Sequence, residues 1–160
     1  MNSITLNPEI NELHTLNNFI LNELQKENFQ VNLIAEEIFV NIVNYSKTEF
    51  ITVNIEYINS TLTLEIIDNG IEFNPLLKED PNLPNDIDEA EIGGLGIFLT
   101  KEMADELEYR RINDENHLKI IKKVEWTTLN QKIIAGIIED FEFVKNKFHL
   151  LKNQWHIQTE

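Results

Sequence analysis

The chain has 160 residues, enough for one domain with a packed core, and 42% of them are hydrophobic, which argues against a disordered chain. Its 28 acidic and 13 basic residues give a formal charge of −15, and such an anionic surface makes nucleic acid and anionic membranes poor partners. The sequence contains no cysteine, which excludes disulfides, thiolate metal sites and a cysteine nucleophile.

The amino-terminal part of the sequence predicts one short strand and two helices. Residues 4–6 are the strand, and Asn7-Pro8 then offers a helix N-cap with proline at the first helical position. Apolar residues at helical spacing continue from there to about Glu27. A second helix is predicted over 30–46, where apolar residues cover most of the circumference, so that this helix should be largely buried.

A hairpin and a long irregular segment follow these helices. The segments 50–58 and 61–67 alternate as strands do and predict an antiparallel hairpin with a short turn at 59–60. Periodicity disappears over 74–92, which contains three of the four prolines of the chain. A segment of this length without periodicity is typical of a functional or disordered loop.

The next elements predict the fold class. Helical spacing returns over 95–107, and a second hairpin is predicted over 108–112 and 117–124, with its turn at 113–116. Helices and strands therefore alternate as groups along the chain rather than one by one. This order predicts an α+β fold, a two-layer sandwich of one sheet and its helices.

The carboxy-terminal segment has apolar residues at helical spacing over 126–155 and predicts one long helix or two shorter ones. We expect 1–125 to form the main domain and 126–160 a helical extension packed on it. The alternative is that the extension forms a dimer or partner surface. The sequence shows no secretory leader and no run of about 18 apolar residues, so we expect a cytoplasmic protein without a membrane segment.

The first candidate motif is a polar stripe on the helix that should be buried. Glu37, Asn41 and Asn44 lie at positions i, i+4 and i+7 and therefore share one face of that helix. Polar groups on a buried face need a polar partner or ligand. The alternative is a stripe that simply faces solvent, and neighbouring Glu36 is expected at the solvated edge.

The second candidate motif, Asp68-Asn69-Gly70-Ile71-Glu72-Phe73, follows a predicted strand and opens the irregular segment. A carboxylate at a strand end is well placed to contact a ligand, and glycine allows close approach to the backbone. The alternative is an ordinary turn, because Asp-Asn-Gly is a common turn sequence.

The third candidate motif is Gly93-Gly94-Leu95-Gly96, directly before a predicted helix. Glycines in this position expose backbone N–H groups at the positive end of the helix, where phosphates bind. The spacing matches neither the dinucleotide-binding fingerprint nor the Walker loop. A hinge that starts the helix is the alternative.

Together and in this order, the three motifs resemble those of the histidine-kinase-like ATPase superfamily, and within it the anti-sigma-factor serine protein kinases of bacteria. The resemblance covers about 4–124 and implies a mixed, mostly antiparallel sheet with helices on one face. Residues 35–45 are similar to the N box of that family. The resemblance implies that Glu37 is the catalytic carboxylate, which orients or deprotonates the attacking hydroxyl or water, and that Asn41 is the Mg²⁺ ligand.

The same resemblance implies an ATP site. Asp68 would accept a hydrogen bond from the adenine amino group, Gly70 would lie beneath the base, and Phe73 would close the motif. Guanine has a carbonyl where adenine has this amino group, so the site should select ATP.

The phosphates of ATP would be bound beside the third motif. The resemblance matches four residues to the second glycine box of the family: Gly93, Gly94, Leu95 and Gly96. It also makes 74–92 the lid over the nucleotide. The nearby cations for the phosphates are Lys78 and Lys101.

The activity that the resemblance implies is ATP-dependent serine/threonine protein kinase activity. Sensor histidine kinases are expected to have glycine two positions after Gly70, whereas this chain has Glu72 there, followed by Phe73, as the anti-sigma kinases do. The implied partners are a sigma factor, a small antagonist protein phosphorylated on serine, and a second copy of the chain. Two alternatives stay open: a non-catalytic regulator that changes partners with nucleotide occupancy, and an interaction domain that has lost the nucleotide.

Overall fold

The computed structural model describes residues 1–78 and 95–124. Most of the predicted lid lies outside the described residues, and so do Gly93 and Gly94 of the third motif. The predicted extension after residue 124 also lies outside them. The division of the chain at residue 125 therefore stays a prediction. The described helices and strands are β1 (Asn2–Leu6), α1 (Leu13–Leu24), α2 (Phe29–Tyr45), β2 (Ile51–Ile58), β3 (Thr61–Asp68), α3 (Leu95–Met103), β4 (Glu106–Ile112) and β5 (Glu115–Lys123).

The five described strands form one sheet in the order β1-β2-β3-β5-β4. Each neighbouring pair is antiparallel, so the parallel pair that a mixed sheet would contain is absent from the described strands. Strand β5 lies between β3 and β4, although β4 precedes it in the chain. This order places Asn116 of β5 directly opposite Asp68 of β3, and it positions the candidate site.

The hydrophobic core lies on one face of this sheet. Alternate residues of the central strands are buried there, among them Val53, Ile55, Leu64, Ile66 and Ile120. Helix α2 buries its own apolar side, including Phe39, which is 0% exposed, and it contacts α1 and α3. The predicted α+β sandwich is thereby confirmed.

The two hairpins have two-residue turns. Asn59 and Ser60 both have positive φ values, and so do Asn113 and Asp114, as the twist of a tight hairpin requires. The first hairpin agrees with its prediction. In the second, the predicted four-residue turn at 113–116 is wrong, because β5 already begins at Glu115.

Two predicted helix ends are also wrong. The predicted cap at Asn7-Pro8 does not start the first helix; a 3₁₀ turn at Ile10–Glu12 precedes α1, whose N-terminus has no side-chain cap. Helix α3 ends at Met103 instead of residue 107, because the chain enters β4 at Glu106.

Helix α2, which has the polar stripe, starts at a cap that the sequence pattern did not predict. The side chain of Asn28 accepts a hydrogen bond from the Val31 N–H at 3.0 Å, and this contact satisfies one of the free donors of the first turn.

Among the helices of the described ranges, none is long and apolar enough to cross a membrane.

Candidate functional site

A cavity of about 380 Å³ opens between α2, α3 and the part of the sheet formed by β3, β5 and β4. The residues of the predicted motifs that line it include Asn41, Asp68 and Phe73. A volume of this size lies within the usual range for small-molecule sites, roughly 300–1,000 Å³. The β2–β3 hairpin separates the first motif from the second in the sequence, and the fold brings both motifs to one cavity.

Asp68 is the charged group at the base of this cavity. It is 4% exposed, and its Oδ1 accepts hydrogen bonds from the Ser46 hydroxyl, from the Gly70 N–H at 2.9 Å and from the Asn116 Nδ2 at 3.1 Å. These three donors replace the water that the carboxylate loses on burial. None of the described residues donates a hydrogen bond to Oδ2, so this second oxygen is available to a ligand in the cavity.

Asn116 joins the carboxylate to the loop that follows it. Its Nδ2 also donates to the Ile71 carbonyl at 2.9 Å, and its Oδ1 accepts from the Phe73 N–H at 3.3 Å and from the Tyr109 hydroxyl at 2.8 Å. Asn116 is 5% exposed and lines the cavity. One side chain of β5 thus holds both ends of the second motif.

Tyr109 lines the cavity from β4. Its partial burial raises the pKa of the phenol above its ordinary value, and the nearby Glu72 carboxylate raises it further. The hydroxyl donates a hydrogen bond to Asn116 Oδ1 at 2.8 Å. Arg111, two residues further along β4, donates to the Gly70 carbonyl at 3.0 Å and supports the same loop.

Gly70 passes so close to the end of α2 that a side chain would not fit. A Cβ atom at this position would overlap the hydroxyl and the carbonyl oxygen of Ser46 and would lie 2.8 Å from its carbonyl carbon. The Ser46 carbonyl also accepts the Ile71 N–H at 2.7 Å. The loop is therefore fixed against backbone atoms that cannot move aside.

The three residues of the polar stripe of α2 have three different surroundings. Asn41 lines the cavity, and its Nδ2 is buried without a hydrogen-bond partner among the described residues. Glu37 is not among the cavity-lining residues; its carboxylate lies against Gly96 in the first turn of α3. Asn44 is exposed, and Glu36, expected at the solvated edge, is half-buried and accepts from Asn17 at 2.7 Å.

Of the remaining predicted residues, Phe73 and Lys78 line the cavity and Lys101 does not. Phe73 is 50% exposed. The ammonium of Lys101 donates to the Lys78 carbonyl at 2.6 Å. The backbone of Leu95 begins α3, next to Gly96.

Comparison with known proteins identifies the family. A family model described as the histidine kinase-like ATPase domain matches residues 12–122 of this chain. The chain belongs to this family. The serine/threonine-protein kinase BtrW of Bordetella bronchiseptica is 30% identical over 96 residues, which are 58% of this chain and 68% of the relative. The histidine kinase AdeS of Acinetobacter baumannii has a solved structure with a TM-score of 0.46 and 12% identity; the match covers 78% of this chain and 68% of AdeS.

Three residues of this ATPase domain's cavity have no signal in the sequence pattern. Ser46 follows the last residue of α2, Tyr109 lies on an edge strand, and the sequence pattern puts Asn116 in a turn. Each acts through a contact with a residue distant in the chain. The register of β5 is the observation that would have found Asn116, because it pairs this residue with Asp68.

The two described glycines of the motifs should respond differently to alanine. Gly70→Ala forces a Cβ into Ser46 backbone atoms, so we expect it to lower the free energy of unfolding by about 1–3 kcal/mol or more. A Cβ at Gly96 would overlap the Glu37 carboxylate, which can swing away, and would lie 3.3 Å from the Glu37 Cβ, a tight contact that a small shift relieves. Alanine also favours a helix, so we expect a change within about 1 kcal/mol. Urea unfolding of both variants measures the difference, and equal effects would contradict this account of Gly70.

Proposed function

We propose that this chain binds ATP together with Mg²⁺ and is a serine/threonine protein kinase of the anti-sigma type. The observation that carries the proposal is the arrangement of Asp68, a buried carboxylate with one oxygen held by three donors and the other available to a ligand. Membership of the ATPase family and the similarity to a serine/threonine-protein kinase support it.

The carboxylate of Asp68 is the group proposed to select adenine. An adenine ring in the cavity would donate its amino group to Oδ2, while a guanine ring would present a carbonyl oxygen to the same carboxylate. Two acceptors facing each other repel, and a buried carboxylate without its donor is costly. The apolar lining, which includes Ile38 and Leu118, suits the faces of a purine.

Asn41 is the residue proposed to bind the Mg²⁺ that accompanies ATP. Asn41 lines the cavity, and its Nδ2 has no hydrogen-bond partner among the described residues, so the amide can rotate and present its oxygen instead. Magnesium prefers oxygen ligands and is commonly shared between one or two protein groups and substrate phosphates. When bound, it neutralises phosphate charge, and Asn41 would fix its position relative to the helix.

The phosphates are proposed to lie toward α3. The first turn of this helix, at Leu95 and Gly96, offers backbone N–H groups and the positive end of the helix dipole. Lys78, which lines the cavity, adds a positive charge. The proposed roles of Gly93 and Gly94 in the same phosphate site rest on the family resemblance. Lys101, in contrast, would act by holding the Lys78 backbone.

Glu37 is proposed as the residue that orients the hydroxyl of the protein substrate. It lies one helical turn from Asn41, and therefore on the side of α2 from which Mg²⁺ and the γ-phosphate would be reached. In phosphoryl transfer, positioning and charge neutralisation provide most of the acceleration, so a carboxylate needs only to accept and direct the substrate proton.

The proposed protein substrate is a serine of a small antagonist domain, and the proposed binding partner is a sigma factor. The charge of −15 suits a partner with a basic surface, because opposite charges speed encounter and exclude acidic competitors. The proposed active form is a homodimer that contacts neither nucleic acid nor membrane directly. Residues 1–125 would supply the ATPase domain and 126–160 the helical extension.

A second candidate function is a regulator that binds ATP without transferring phosphate. The observation in its favour is that Glu37 packs against Gly96 and not into the cavity. In that case nucleotide occupancy would change which partner binds, and the carboxylate would serve to hold α2 against α3. Binding and transfer must therefore be measured separately.

Replacement of Asn41 should remove the effect of Mg²⁺ on nucleotide binding. Asn41→Ala lies within a helix, where alanine is well tolerated, so we expect a folded variant that still binds ATP in the presence of EDTA. The gain in ATP affinity on adding Mg²⁺, expected in the native chain, should fall by about tenfold. Calorimetric titration with and without Mg²⁺ measures this gain.

The matched control for Asn41 is Asn44→Ala, because Asn44 belongs to the same polar stripe but is exposed and does not line the cavity. We expect the control to keep the full effect of Mg²⁺. An Asn41→Ala variant that behaves like this control would remove Asn41 from the metal site.

Replacement of Glu37 should separate transfer from binding. Glu37→Gln keeps the shape of the side chain but loses the charge that accepts the substrate proton, so we expect phosphoryl transfer to fall by about 100-fold or more. ATP affinity should stay within about threefold, because Glu37 does not line the cavity. The assay follows the γ-phosphoryl group of labelled ATP to a co-purifying protein, with Glu36→Gln as the neighbouring control.

The outcomes of this assay distinguish the two candidate functions. Undiminished transfer by Glu37→Gln would eliminate the proposed catalytic role of Glu37. A native chain that binds ATP and transfers no phosphate to any co-purifying protein would instead favour the non-catalytic regulator.

A further inference from the structure

All four hydrogen-bonding positions of the Asn116 side chain are occupied by protein groups. A side-chain amide can donate two hydrogen bonds and accept two. Nδ2 donates to Asp68 Oδ1 and to the Ile71 carbonyl, and Oδ1 accepts from the Phe73 N–H and from the Tyr109 hydroxyl. Asn116 therefore has no capacity left for a direct hydrogen bond to a ligand, although it lines the cavity.

The orientation of this amide is determined by its partners. The Ile71 carbonyl can only accept a hydrogen bond, and the Phe73 N–H can only donate one. If the amide turned by 180°, the carbonyl would face the amide oxygen and the N–H would face the amide nitrogen. The loop backbone thus forces the donating end of Asn116 toward the Asp68 carboxylate.

We propose that Asn116 is a positioning residue, which holds the Asp68 carboxylate in the orientation that reads the exocyclic amino group of the base. This inference rests on the proposed function, because it concerns the same adenine-binding carboxylate. With Oδ1 held by Asn116 from β5, by Ser46 from the end of α2 and by the Gly70 N–H, the carboxylate cannot rotate. The other oxygen, Oδ2, which has no donor among the described residues, is then held in one orientation as well.

Tyr109 completes this arrangement from the edge strand β4. Its hydroxyl and the Phe73 N–H share the amide oxygen of Asn116, and the shorter of the two contacts is the one from Tyr109. Loss of the hydroxyl would leave the amide oxygen with its longer contact alone. The orientation of Asn116, and through it that of Asp68, would then be less well defined.

Asn116→Asp is the most direct variant, because it keeps the shape of the side chain and replaces the donor by an acceptor. The new oxygen would face the Asp68 carboxylate, where the structure has a hydrogen bond of 3.1 Å, and the Ile71 carbonyl, where it has one of 2.9 Å. The two carboxylates would either repel, which turns Asp68 away from its present orientation, or share one proton, which removes one of the two charges. In both cases the contact of Asp68 with the amino group of the ligand is weakened.

The experiment compares two nucleotides, ATP and purine riboside 5′-triphosphate, which lacks only the exocyclic amino group. The ratio of their affinities, measured by calorimetry in Mg²⁺, isolates the contribution of that group. We expect the native chain to prefer ATP by about tenfold or more, and Asn116→Asp to reduce the preference to about threefold or less, with affinity for the analogue nearly unchanged.

The matched control is Asn69→Asp, the same replacement at the residue next to Asp68 in sequence. Asn69 uses its Oδ1 to accept from the Thr48 hydroxyl at 2.6 Å and from the Glu49 N–H at 3.0 Å, and aspartate retains both contacts. The control should therefore keep the native preference for ATP. A loss of preference in both variants would show an effect of added charge and overturn the proposal.

A merely structural role for Asn116 gives a different result. If Asn116→Asp lowers the affinity for both nucleotides equally, the ratio of the two affinities stays at its native value and the positioning role is wrong. If thermal melting shows that this variant does not fold, Tyr109→Phe is measured instead. The proposal expects Tyr109→Phe to reduce the preference for ATP over the analogue by at least about twofold, and an unchanged preference contradicts it. Failure of the native chain to bind ATP, or to prefer it over the analogue, would instead overturn the proposed function.

Discussion

The carboxylate of Asp68 is almost completely buried, and a buried carboxylate is stable only where donors replace the water it has lost. Its three donors come from the end of α2, from its own loop and from β5, so that three parts of the fold must meet at one oxygen. The sheet order, with β5 inserted beside β3, brings Asn116 there. The absence of a side chain at Gly70 lets the loop reach Ser46. The other oxygen has no donor among the described residues, so this one constraint shapes both the fold and the candidate site.

Much of the fold follows from hydrophobic periodicity. The alternation in β2 and β3 predicts the first hairpin, which is present because core burial determines it. The apolar circumference of α2 predicts a largely buried helix, whereas the buried residues of α2 end at Phe39 and its last two residues are exposed. The errors lie where local polar contacts compete with periodicity. Asn113 and Asp114 adopt positive φ values and close a two-residue turn, so β5 starts at Glu115 rather than at His117. The first helix begins at a 3₁₀ turn without a side-chain cap, and no pattern of apolar residues reveals such a start.

The sequence predicts those residues of the candidate site that belong to short motifs. The first and second motifs, with Asn41 and Asp68, do line one cavity, and each of these residues lies near the end of its helix or strand. The contacts of Asn116 were not predictable in this way, because they depend on the pairing of two residues that are 48 positions apart in sequence. The distinction between Glu37 and Asn41, one against α3 and the other in the cavity, depends on how two helices pack.

The cavity and its carboxylate support nucleotide binding more directly than they support phosphoryl transfer, because the groups that would hold the base line the cavity and Glu37 lies beside α3. Selection of adenine by Asp68 is therefore the central claim, and transfer depends on it. The measurement that tests it most directly is calorimetric titration of the native chain with ATP and with GTP in the presence of Mg²⁺. The account predicts saturable ATP binding and GTP binding weaker by about tenfold or more. No ATP binding, or equal affinity for both nucleotides, would contradict it.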